Sequence, residues 1–170
     1  MKNNLNGKKV LLVGSGADLN GRALAERIDS GEEWPVVARV NKHYGAREDV
    51  GCRMDLCFVA RRVWYNWWFA VTCPSVPAIV AFAEGVGCPK EYRAAVAAEL
   101  GLPRVSTGLA AVHLLLAAGA SVDIIGFNAP GGVPLDGGKI YADGTDGNID
   151  RYDWTAELAW LQAQPRVTLL

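Results

Sequence analysis

The chain has 170 residues, of which 51% are hydrophobic, and its 17 basic and 18 acidic side chains leave a formal net charge of −1. That is enough for one domain with a sizeable core and too little for two, and a charge so close to zero excludes a whole-protein field that would hold nucleic acid or anionic lipid. No apolar run reaches the length of a membrane span, and the polar start from Met1 to Gly7 lacks the pattern of a secretory signal.

Val10-Leu11-Leu12-Val13 is apolar without alternation, as in a strand covered on both faces, and it stops at Gly14-Ser15-Gly16. A helical period then runs from Leu19 to Ile28 through Ala23, Leu24 and Arg27. A strand, a glycine turn and a helix N-terminus make an anion site, with the amides of Gly14, Ser15 and Gly16 expected to face a ligand; a plain βα turn fits the same residues. Val36 to Val40 reads as the second strand. Asn41-Lys42-His43-Tyr44-Gly45 follows at its C-terminal end, the edge where open α/β sheets bind ligands. Asp55 to Val59 is the third strand. Between Arg61 and Phe69 the chain sets Trp64, Tyr65, Trp67 and Trp68 behind Arg61 and Arg62. A helix that buries the tryptophans is the preferred reading, with an acceptor platform or a homo-oligomer interface as alternatives.

Ala78 to Phe82 is the fourth strand, and Pro89 to Leu100 a helix with proline in its first turn and Gly101 past its end. Leu109 to Gly119 is a helix apolar nearly all round. Ser106 or Thr107 caps it, giving a second helix N-terminus able to hold an anion. Val122 to Phe127 is a further strand, and Asn128 to Asn148, rich in glycine, proline and aspartate, a long surface loop. Asp150 to Ala163 resumes a helical pattern, and Arg166 to Leu170 forms a last short strand. The alternation predicts one domain over residues 1–170, an α/β Rossmann-like fold with a doubly wound, mostly parallel sheet and helices on both faces.

A dinucleotide fingerprint would need glycine at position 19, which is Leu19, and no phosphate loop of the G-x-x-x-x-G-K-[ST] type is present. Cys52, Cys57, Cys73 and Cys88 have no C-x-x-C spacing and only two histidines accompany them, so they read as thiols in a reducing compartment and no metal site is expected. Asp143, Asp146 and Asp150 lack calcium-loop spacing and are explained as turn formers. His43 reads as an exposed loop residue, with reach to a ligand phosphate as its alternative, and His113 as a core histidine.

Taken in order, Leu12-Val13-Gly14-Ser15-Gly16-Ala17-Asp18-Leu19, Ile28-Asp29, Arg39-Val40-Asn41 and Asp49-Val50-Gly51 resemble the large motif of the animal-type sialyltransferases. Val105-Ser106-Thr107-Gly108 and Val122-Asp123-Ile124-Ile125-Gly126-Phe127 resemble their small motif. These enzymes move sialic acid from its cytidine monophosphate (CMP) donor. The resemblance implies donor contacts from Gly14, Ser15, Gly16, Asn41, Ser106, Thr107 and Gly108, with Ser15 standing where the family has asparagine. It also implies a metal-independent, inverting transfer to a hydroxyl acceptor, with a nucleotide-sugar donor and no further cofactor. Two helix N-termini facing a phosphate and a carboxylate would stabilise charge on the departing nucleotide. The family's bridged cysteines correspond to places near Lys9 and Gly119, neither of which is cysteine, and this suits a cytoplasmic relative of bacterial or phage origin.

The family's short His-x-x-x-x-Glu motif corresponds to Tyr152 through Glu157: the glutamate matches, and tyrosine stands where the family has its general base. An ordinary tyrosine titrates near pH ~10 and is a weak base at neutrality. Asp153 or Asp150 could take the proton instead, their plain alternative being a place at a helix start. Tyr152 could be activated by a neighbour, or the chain could bind CMP without turning it over. Another nucleotide-dependent Rossmann-like enzyme is the remaining alternative. The chain is much shorter than the family's usual catalytic domain, and the acceptor is not legible in it.

Overall fold

The computed structural model describes residues 5–14, 16, 19–40, 47–59, 79–81, 90–127 and 152–170. The apolar runs form six strands, β1 (Lys9–Val13), β2 (Val36–Val40), β3 (Leu56–Val59), β4 (Ile79–Ala81), β5 (Ser121–Ile125) and β6 (Val167–Leu169), in the order β4-β3-β2-β1-β5-β6. Every pairing is parallel, with Val10 between Val36 and Val122. The chain steps outward from β1 to β4 and returns to the other side of β1 with β5. The order therefore reverses between β1 and β5, the switch point at which open α/β sheets have their ligand crevice, outside the carboxyl ends of the strands.

Unbroken apolar strands follow from a sheet covered twice. Val10 and Leu12 join Ala38, Phe58, Val122 and Ile124 on one face, under the helices α3 (Lys90–Glu99), α4 (Thr107–Ala117) and α5 (Trp154–Ala163). Leu11 and Val13 join Val37 and Ile125 on the other, with Ile28 of α1 (Ala25–Ser30) and Val50 of α2 (Arg47–Val50). The doubly wound α/β expectation holds. Helix α4 is buried along Thr107 to Val112 and again at Leu115, which is why it is apolar nearly all round. Among the described residues no helix is long and apolar enough to cross a membrane.

Two elements differ from expectation. The helix expected from Leu19 begins only at Ala25, because the intervening residues wind through turns: Leu19 N donates to Gly16 O at 3.2 Å, and Ala23 takes the left-handed region at φ 51. Asp49 pins that approach, its carboxylate accepting from Ala23 N at 3.1 Å and its carbonyl from Leu24 N at 2.9 Å. Leu19 and Ile28 are fully buried even so, which satisfies the apolar period without a continuous helix. The second difference is α2, a short helix between β2 and β3 where the sequence reading places no element. Helix α5 starts at Trp154, so Asp153 precedes it. The aromatic segment 61–69 and the loop 128–148 lie outside the described residues.

At the opposite edge of the sheet from the crevice, fully buried Trp34 donates from Nε1 to Asp123 Oδ2 at 2.8 Å, and Lys9 Nζ meets the same oxygen at 2.8 Å. Lys9 and Arg27 lie over the indole at 5.6 and 5.4 Å. Asp123→Asn keeps an acceptor for Trp34 and loses the charge facing Lys9, whose side chain is 43% exposed. The expected loss is about 1 kcal/mol, seen as a lower urea midpoint with an unchanged slope.

Candidate functional site

The first strand does not end where its apolar residues end. Gly14 N donates to Ile125 O and Gly16 N to Gly126 O, both at 2.8 Å, so the β1–β5 ladder continues through the glycine turn. This corrects the expectation that the amides of Gly14 and Gly16 face a ligand: they are bonded to the neighbouring chain segment. The helix N-terminus expected beside them is also displaced, since α1 starts at Ala25. Ser15 lies outside the described residues.

Glycine at position 14 serves close packing. A Cβ there would overlap Gly126 O and come within 2.7 Å of the Phe127 ring, and a Cβ on Gly108 would come within 2.5 Å of the same ring. Phe127 therefore draws the end of β1, the end of β5 and the first turn of α4 to one point, where the strand order reverses.

Ser106 caps α4, its Oγ accepting from Leu109 N at 3.0 Å. The buried Glu157 carboxylate accepts from Ser106 N and from Ser106 Oγ, both at 2.6 Å. The serine is thus fully engaged and fixed by α5. The amides of Thr107 and Gly108 lie in the first turn, where no intrahelical acceptor exists, and they have no acceptor among the described residues. A second clamp comes from α3. Arg93 donates to Val105 O from Nε at 3.2 Å and from Nη2 at 2.7 Å, and Nη2 also donates to Tyr152 Oη at 3.2 Å.

Of the residues singled out from sequence, Ser106, Thr107, Gly108, Glu157 and Tyr152 come together at the start of α4, with Gly14 across the Phe127 ring. Exposed Asp153 caps α5, accepting from Ala156 N at 3.0 Å, which is its plain helix-start role. Asn41, His43 and Asp150 lie outside the described residues. His113 is a satisfied histidine between helices: Nδ1 pairs with Tyr92 Oη at 2.8 Å, Nε2 meets Glu99 at 3.3 Å, and the ring stacks on Trp160. Among the described residues no group of three His, Cys, Asp or Glu side chains is placed to hold a metal ion.

Three of the stretches singled out from sequence, around Asp29, Arg39 and Gly51, are bonded together. Asp29 accepts from Cys52 N at 2.9 Å and Arg53 N at 2.8 Å, while buried Arg39 donates to the carbonyls of Val50 at 2.7 Å, Gly51 at 3.2 Å and Arg53 at 2.9 Å. Arg39 thus fixes the stretch facing the end of β2, a role that its place in the run Val-Val-Ala-Arg-Val signals, because a charge in a covered strand must find buried acceptors. Arg93 carries no such signal.

No family model and no curated protein matches this sequence. Solved structures do match. The crystal structure of a mammalian sialyltransferase in complex with Gal-beta-1-3GalNAc-ortho-nitrophenol superposes with a TM-score of 0.60 at 17% identity, over 96% of this chain and 69% of that one. A second crystal structure of a mammalian sialyltransferase gives 0.58 at 18% identity, with the same shares covered. The chain has a sialyltransferase-like fold. At this identity the likeness is one of fold alone.

Proposed function

We propose that this chain is a sialyltransferase-like glycosyltransferase, transferring sialic acid or a similar sugar from a CMP-activated donor to a hydroxyl with inversion and without metal. The observation that carries the reading is the start of α4: Ser106, fixed by the buried Glu157 carboxylate, is followed by the Thr107 and Gly108 amides, which have no acceptor among the described residues, beside the reversal point of a sialyltransferase-like sheet. In the proposed reaction the acceptor oxygen attacks the anomeric carbon, the bond to the phosphate oxygen breaks, and CMP leaves with the electron pair. The α4 N-terminus stabilises the charge gathering on the phosphate. Ser15 and Asn41 complete the donor site in this reading, and Gly14 shapes it by close packing. Glu157 has both oxygens engaged with Ser106 and acts as a positioning residue. The acceptor's proton goes to Asp153 or Asp150. The absence of Asp-x-Asp in the sequence supports the metal-free route. Cys52 and Cys57, both thiols, support a reducing compartment.

A second reading, a CMP-binding module without turnover, draws on Tyr152, whose oxygen accepts from Arg93. One experiment separates the readings. CMP, NAD and S-adenosylmethionine are compared for thermal stabilisation, and CMP release from CMP-sialic acid is followed with the same protein. The expected result is stabilisation by CMP with release above the buffer rate. Stabilisation without release leaves the binding module, and selective stabilisation by NAD overturns the donor assignment.

A further inference from the structure

The guanidinium of Arg93 reaches two oxygens from distant parts of the chain, Val105 O and Tyr152 Oη. Arginine has five donors and no acceptor, so the direction of the second bond is fixed: the phenol oxygen accepts. A tyrosine hydroxyl that accepts keeps its own proton, and that proton has no acceptor among the described residues. Tyr152 is half-buried, and its ring is set edge-on against Trp154 at 5.2 Å between centroids. Val105 immediately precedes the Ser106 cap, so one guanidinium spans the distance from the phenol to the start of α4.

We propose that Arg93 is a positioning residue that turns Tyr152 into a hydrogen-bond donor to the anionic ligand held at the start of α4. Tyr152 then helps to hold the ligand's phosphate and takes no proton from the acceptor. The inference rests on the nucleotide reading given above. Arginine is needed because Nη2 carries two protons, one for Val105 O and one for the phenol, while Nε adds a second bond to Val105 O; a lysine ammonium lacks this planar fork.

The test uses full-length protein carrying 13Cζ-labelled tyrosine. The chain has five tyrosines, so the Tyr152 signal is assigned by its loss in Tyr152→Phe. CMP and inorganic phosphate are titrated separately into the wild type, Tyr152→Phe, Arg93→Gln and Arg93→Lys. The expected result is a Tyr152 signal that moves on saturation with either ligand, and CMP binding about tenfold weaker in Tyr152→Phe, the size expected for a hydrogen bond to a charged group. Arg93→Gln should match that loss and abolish the movement of the signal, and Arg93→Lys should restore only part of it. Tyr152→Phe keeps the ring packed on Trp154, so its result does not depend on a change of fold. A Tyr152 signal unmoved by saturating ligand, or a Tyr152→Phe chain that binds CMP like the wild type and loses only turnover, overturns the proposal. A wild type that answers phosphate and not CMP overturns the cytidine assignment while sustaining the Arg93–Tyr152 pair; one that answers neither overturns both.

Discussion

Glu157→Ala is expected to destabilise the protein by about 4 kcal/mol, because it leaves Ser106 N and Ser106 Oγ buried without acceptors and opens a cavity beneath the α4 start. Glu157→Gln should cost less, about 2 kcal/mol, for a reason that lies in proton directions. The amide oxygen can still accept from Ser106 N. The amide nitrogen, however, would face Ser106 Oγ with a proton, while the serine already accepts from Leu109 N and must find a new acceptor for its own. Urea unfolding measures both losses. At urea concentrations where each variant is folded, the CMP binding proposed above should weaken at least tenfold in Glu157→Ala, since the helix start no longer has a fixed geometry. An alanine variant within 1 kcal/mol of the wild type would show that the carboxylate does not hold the serine.

The second large effect concerns the glycines around Phe127. In an open helix position Gly108→Ala would be stabilising by up to about 1 kcal/mol, because alanine is the better helix former. Here the added methyl meets the Phe127 ring, and a net loss of about 2 kcal/mol is expected. Gly14→Ala meets the same ring and also the carbonyl of Gly126, so a loss of about 3 kcal/mol is expected. The two are distinguished by a partner substitution. Phe127→Leu should relieve Gly108→Ala, the double variant losing less than the sum of the singles, and should leave Gly14→Ala unrelieved because a backbone carbonyl cannot withdraw. Equal relief at both sites would show that the ring alone sets the packing.

Much of this arrangement is legible in the sequence. Unalternated apolar strands dictate a sheet covered on both faces, and Ser106 before an apolar run dictates a capped, buried helix. The pairing of Glu157 with that cap is not a local signal, since the two residues are brought together only by α5 packing on α4. The late start of α1 is hidden for a related reason. Leu19 and Ile28 have the spacing of one helical face, and both are buried in the same cluster, but the turns between them are dictated by the β1–β5 ladder and by Asp49. The glycine turn misleads in the same way, because nothing local says that the amides of Gly14 and Gly16 will meet β5 and not a ligand.

That ladder has a consequence for how the molecule comes into being. β1 pairs residue by residue with β5, from Lys9 opposite Ser121 to Val13 opposite Ile125, although more than a hundred residues separate them along the chain. β1, β2 and β3 are close in sequence and can associate early in synthesis, whereas β1 keeps an open flank until β5 has emerged. The pairing of β5 with β1 is the long-range step expected to slow folding, and it also sets the switch point of the sheet. Until it happens the apolar flank of β1 is exposed to other chains, so the strand on which the candidate site is assembled is also the one most open to misassembly in the nascent protein.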